Sequence, residues 1–195
     1  MLSQEESRFP LVPTLRATLG VKGPRPVVGT WDNKDLVYSV AAMNVVTGQL
    51  TTRRVESAAA AKRRTGRSQT ARLQQAFAAH LRDLARTYPV SLGKPVVITI
   101  DNAPWHQTAA IAEVLTDHPH LQLYRLPSYS PQLNLSERFW RVLRRRATHN
   151  RLFATMAELR TALRASFCYF HQVRHKVLSL IHSPRKKKEA KPSSA

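Results

Sequence analysis

The chain has 195 residues, 43% of them hydrophobic, with one cysteine and 31 Lys and Arg against 12 Asp and Glu, a formal net charge of +19. That length suits one domain with its own core, the lone Cys168 excludes an internal disulfide framework and fits a reducing compartment, and no apolar run approaches the roughly 18–20 residues that would span a bilayer. Met1-Leu2-Ser3-Gln4-Glu5-Glu6 does not read as a signal peptide, so the expectation is a soluble cytoplasmic protein without a membrane partner. A positive charge this far beyond the needs of solubility points to polyanionic partners, nucleic acid first.

Residues 36–46 and 49–55 flank Thr47-Gly48 and predict a β-hairpin with a short Gly-containing turn. Leu73, Phe77, Leu81, Leu84 and Tyr88 recur at spacings of three and four, which predicts an amphipathic helix over residues 68–88. After Gly93, the apolar run 96–100 reads as a strand at the sheet centre, covered on both faces. Residues 107–117 are Ala-rich and helical, 121–126 alternate as a further strand, and Pro127 and Pro131 bound a rigid loop. Leu135, Phe139, Val142 and Leu143 then share one face of a helix, and a last helix carries Met156, Leu159, Leu163, Phe167 and Phe170. Strands alternating with helices in the second half imply an α/β fold, a mixed central sheet flanked by helices. The domain is expected over 1–182, with 183–195 a disordered basic tail.

In so basic a chain the acids are informative. Asp101 directly follows the strand 96–100, where a carboxylate is costly unless it is hydrogen-bonded, paired or on a metal, and where α/β sheets gather ligands. A turn or helix cap explains it equally well. Glu137 sits one turn into its helix, where a pair with Arg141 is the ordinary reading. A strand-end Asp and a helical Glu separated by one strand and one loop can also meet over the sheet edge. Hard oxygen ligands there suit Mg²⁺ or Mn²⁺, and no Cys/His cluster suggests zinc.

Asp101-Asn102-Ala103-Pro104-Trp105-His106, followed by Leu126-Pro127-Ser128-Tyr129-Ser130-Pro131-Gln132-Leu133-Asn134-Leu135-Ser136-Glu137-Arg138-Phe139-Trp140, resembles the paired signatures of the DDE transposases of the mariner superfamily, nearest the bacterial insertion-sequence six-thirty family. Glu5-Glu6-Ser7-Arg8-Phe9, Pro13-Thr14-Leu15 and Gly23-Pro24-Arg25-Pro26 resemble that family's opening strand and loop. The resemblance implies an RNase H-like catalytic domain in which three carboxylates hold two Mg²⁺ or Mn²⁺ ions for cleavage and strand transfer at transposon ends. By position the ligands are Asp101, Glu137 and Glu5, with Glu5 standing where the family has Asp. His106 would lie near the metal or the DNA, or simply pack.

The implied partners are double-stranded DNA, a second copy of the chain in a homodimer, and an upstream helix-turn-helix chain. Arg138, Arg141, Arg144 and Arg145 on the Glu137 helix, with Lys186 and Lys187 in the tail, are the expected phosphate contacts. Trp31 and Trp105 either fill core or stack on a base. The rival expectations are a degenerate transposase fragment that binds DNA without chemistry, and a basic nucleic-acid-binding module.

Overall fold

The computed structural model describes residues 1–17, 23, 27–30, 35–57, 68–127, 130 and 134–182. Trp31, Lys62-Arg63-Arg64, most of the Pro-bounded loop, and the tail with Lys186 and Lys187 lie outside them.

Five strands, β1 (Leu2–Pro10), β2 (Leu36–Asn44), β3 (Leu50–Ser57), β4 (Val96–Ile100) and β5 (Leu121–Arg125), form one sheet in the order β3-β2-β1-β4-β5. The β1–β2 and β2–β3 pairs are antiparallel, while β4 runs parallel to both β1 and β5. The sheet is therefore mixed, with β1 at its centre.

Two helical layers cover it. Helices α1 (Gln69–Thr87) and α2 (Ala109–Asp117) lie on one face, and α3 (Ser136–Ala147), α4 (Met156–Gln172) and α5 (Arg174–His182) on the other. Alternation along the strands feeds both cores. Leu2, Val40, Ala42, Ile98 and Ile100 pack with Phe77, Leu81 and Leu84 of α1, whereas Phe9, Val37, Ala41 and Met43 pack with Phe139, Trp140, Leu163 and Phe170. Ser68 caps α1 by accepting the Ala71 N–H at 3.2 Å, and Thr155 caps α4 by accepting from Glu158. Glu158 returns a bond to the Ala154 N–H at 3.0 Å.

Three expectations need correcting. The strand buried on both faces is β2, while Val97 and Thr99 of β4 are only half-buried. The core under α3–α5 contains no residue of β4 or β5, so that layer covers only the other side of the sheet. Val142 is 36% exposed and does not join Phe139 and Leu143 in the core. A further helix, α5, follows α4 and buries Val177 and Ile181.

At the β2–β3 turn Gly48 has φ +69°, and an added Cβ would run into the backbone carbonyl oxygen of Arg174, where α5 begins. Gly48→Ala should cost about 1–3 kcal/mol from strain and collision together, read by urea denaturation.

His80 on α1 is fully buried, with no hydrogen-bond partner for either ring nitrogen among the described residues. Burial lowers its pKa from 6.5 to about 4, Asp83 opposing and Arg53 assisting. The unfolded chain therefore takes up a proton that the folded chain refuses, and stability falls as pH drops from 6.5 towards 4. The expected loss over that window is about 3 kcal/mol. Denaturant melts across it should show that slope in the native protein and a flatter one in His80→Leu. Among the described residues no helix is long and apolar enough to cross a membrane.

Candidate active site

The parallel pairing of β1 with β4 sets Ser3 opposite Thr99. Continued two residues further along each strand, that register would bring Glu5 level with Asp101, just past the end of β4, and Asp101 acts electrostatically on Glu5. Glu5 and Glu6 are neighbours on a strand and so point to opposite faces. Ser3, Glu5 and Ser7 face α3: the Ser3 hydroxyl bonds that of Ser136 at 2.9 Å, and Arg144 donates to Ser7 Oγ at 2.6 Å. Glu6 faces α1 and the turn Pro104–His106.

Glu5 is in a costly place. Burial pushes its carboxyl up to about 7; the Asn134 side chain and Arg144 pull it down, and Asp101 and Glu6 push it further up. Its Oε2 is buried with no hydrogen-bond partner among the described residues. A buried carboxylate oxygen without a partner, beside a second carboxylate, is the environment that a divalent cation would relieve.

Asp101 is held differently. Its Oδ1 accepts the Ala103 N–H at 3.0 Å and lies 3.3 Å from His106 Nδ1. The bond from His106 holds the Asp101 carboxyl below its usual value, with burial opposing and the Ala103 N–H assisting. His106 is buried against the Phe77 ring, with centroids 4.3 Å apart, and its Nε2 lies 3.0 Å from Glu6 Oε1. Burial works against a charge on the ring, but the bonds to Asp101 and Glu6 outweigh it and raise its pKa to about 9. His106 Nδ1 lies 3.2 Å from the Asp101 main-chain carbonyl oxygen as well as near Oδ1, so the ring is held between Asp101 and Glu6.

Ligand atoms of Glu6, Asp101 and His106 also lie within 4.8 Å of one another, a spacing that could hold a metal. Binding a metal through His106 would require its Nε2 to release any proton it shares with Glu6. On the other side of Asp101, the unpartnered Glu5 oxygen offers a second place for a cation.

Glu137 Oε1 pairs with Arg141 Nη2 at 3.0 Å. Its backbone is near these groups: Ser136 touches Ser3, and Asn134, whose Oδ1 accepts the Ser136 N–H at 2.9 Å, reaches Glu5. The exposed i,i+4 pair with Arg141 is itself worth only ~0.2–0.5 kcal/mol.

Two clefts meet at Arg144. One, of about 760 Å³, is lined by Glu6, Arg8, Asp101, Trp105 and Arg144 among others. The other, of about 560 Å³, is lined by Arg16, Glu137, Arg141, Arg144, Arg145 and His149. Of the predicted phosphate contacts, Arg141, Arg144 and Arg145 share the second cleft, while Arg138 is half-buried and lines neither. Trp105 is half-buried at the first cleft, its Nε1 without a partner among the described residues. Sequence reasoning missed Arg16, His149 and the Glu6–His106 pair.

Residues 1–160 match the DDE superfamily endonuclease family. The chain belongs to that family. Among solved structures it is similar to the catalytic domain of Mos1 mariner transposase, at 16% identity and TM-score 0.56, covering 92% of this chain and 78% of that one. It is similar also to a pre-cleavage Mos1 transpososome (16% identity, TM-score 0.60, 92% and 53% covered) and to the Mos1 paired end complex with Mn (17%, 0.59, 92% and 53%). These likenesses identify the sheet and its helices as the RNase H-like fold of the transposase catalytic domain. The DDE chain spans about half the length of the transposase chains in those two complexes. No curated protein matches it in sequence.

Proposed function

We propose that this DDE chain is the catalytic domain of an insertion-sequence transposase that cleaves and rejoins double-stranded DNA with Mg²⁺ or Mn²⁺, using Glu5, Asp101 and Glu137 as ligands. What supports this reading is the charge of Asp101 acting on Glu5, whose strand runs parallel to β4, together with a buried Glu5 oxygen that lacks a partner among the described residues. Bound there, a pair of divalent ions would supply Lewis-acid polarisation of the phosphoryl group and an activated water or DNA 3′-hydroxyl. The chain's own part is positioning. His106 fixes the Asp101 carboxylate in its ionised form, Asn134 and Arg144 steady Glu5, and Glu137 swings in from α3. Arg141, Arg144 and Arg145 hold phosphates without reading sequence. A second copy of the chain and a helix-turn-helix partner would supply end pairing and sequence recognition, and the cytoplasm is the expected compartment.

The test is metal-dependent nicking of supercoiled DNA by the chain, by Asp101→Asn and by Glu5→Asp. Shortening Glu5 by one methylene restores the reach of an Asp ligand and should raise nicking, because near-octahedral Mg²⁺ tolerates little displacement. One observation favours a second reading, binding without chemistry: Glu137 is turned to Arg141. Under that reading the native chain is inert, and equal residual nicking by Asp101→Asn would dismiss the enzymatic reading altogether.

A further inference from the structure

The second cleft is built by a clasp between residues 134 positions apart in the chain. Asn150, at φ 56°, holds both main-chain polar groups of Arg16: its Oδ1 accepts the Arg16 N–H at 2.8 Å and its Nδ2 donates to the Arg16 carbonyl at 2.9 Å. The Asn150 N–H adds a bond to Thr14 at 3.1 Å, beside a short parallel bridge of Thr14 to His149. The clasp brings a cation in among cations. Arg16 acts unfavourably on both Arg144 and His149, and Glu137 is the one acid among the described residues lining the cleft. A fold that fixes a left-handed Asn and two hydrogen bonds to assemble like charges has a polyanion to receive there.

We propose that the cleft of Arg16, Arg141, Arg144, Arg145 and His149 is a groove for the phosphate backbone of duplex DNA, that Arg144 carries the strand over into the cleft of Arg8 and Asp101, and that Asn150 is the positioning residue for Arg16. The inference deepens the transposase reading and rests on it for the direction of the strand, but it concerns binding and needs no chemistry. Arg144 suits the crossing because it is anchored on Ser7 and walls both clefts. Arg8 is exposed beyond it on β1.

The test uses the full chain in EDTA, with a fluorescent duplex titrated over a range of KCl. Each phosphate contact removed should lower the slope of log K against log[salt] by about 0.9, with a roughly three- to tenfold loss of affinity. Arg16→Ala and Asn150→Gly should each show that loss, and the double variant should match either single one, since both remove the same contact. Glycine keeps the left-handed backbone while deleting the clasp. Arg8→Ala should lower the slope independently and add to Arg16→Ala. An unchanged slope in Arg16→Ala, or in an Asn150→Gly protein that merely melts earlier, would overturn the groove, and an unchanged slope in Arg8→Ala would overturn the crossing. Loss of nicking in Asp101→Asn reads the metal chemistry separately, so either account can fail while the other stands.

Discussion

Asp101→Asn should reduce Mg²⁺- or Mn²⁺-dependent nicking by on the order of 10³-fold, about 4 kcal/mol of lost transition-state stabilisation. The substitution is nearly isosteric. It keeps an oxygen for the Ala103 N–H and leaves the Asp101 main-chain carbonyl, 3.2 Å from His106 Nδ1, where it is. What it removes is the charge that His106 holds ionised. DNA affinity should not fall, because Asp101 is an anion in the cleft the strand enters and supplies no phosphate contact. Nicking assays paired with fluorescence anisotropy read both quantities on the same preparations.

Glu5→Gln should move stability and activity in opposite directions. In metal-free protein the native carboxyl has a buried Oε2 without a partner among the described residues and two acidic neighbours, Asp101 and Glu6. Replacing it with a neutral amide removes the charge that burial and those two acids oppose, and should stabilise the fold at neutral pH by about 1–3 kcal/mol. Added Mn²⁺ should reverse the ranking. A cation that binds only the folded native chain stabilises it by ~2.7 kcal/mol at a hundredfold excess over Kd, whereas Glu5→Gln has lost the anionic ligand and should scarcely respond. Thermal melts with and without Mn²⁺ give all four values. A Glu5→Gln protein that is less stable without metal would mean that Glu5 is structural. Such a trade of stability for function is the common pattern at active sites.

How much of this was legible in the sequence depends on where apolar periodicity and local spacing reach. Helix α1 announces itself because Leu73, Phe77, Leu81 and Leu84 are all core residues at helical spacing. The β2–β3 hairpin is readable for a similar reason, with Gly48 supplying the positive φ of its turn. Strand β1 hides because its buried positions include Ser3, Gln4 and Ser7, so no apolar alternation marks it; only the family resemblance of Glu5-Glu6-Ser7-Arg8-Phe9 exposed it. Helix α5 escaped because in nine residues it buries only Val177 and Ile181.

The site divides along the same line. Asp101 stands out because a charge at the end of an apolar strand is anomalous, and the motif spacing ties it to Glu137. Which of Glu5 and Glu6 faces α3 is a matter of strand parity, and β1, polar on both faces, gives no apolar reference from which to fix it. The side-chain direction of Glu137 could not be read either, because Arg141, with which it pairs, is four residues away on the same helix. The clasp of Asn150 on Arg16 depends on a left-handed residue packing against a distant loop, and neither leaves a local signature.

The central claim is that Glu5 and Asp101 together hold a divalent cation. A crystal soaked in Mn²⁺ and measured at the manganese absorption edge tests it most directly. The expected anomalous peak lies between the Glu5 and Asp101 carboxylates, with Glu137 turned from Arg141 towards it. A peak among Glu6, Asp101 and His106 instead, or none at Mn²⁺ concentrations that support nicking, would contradict the account.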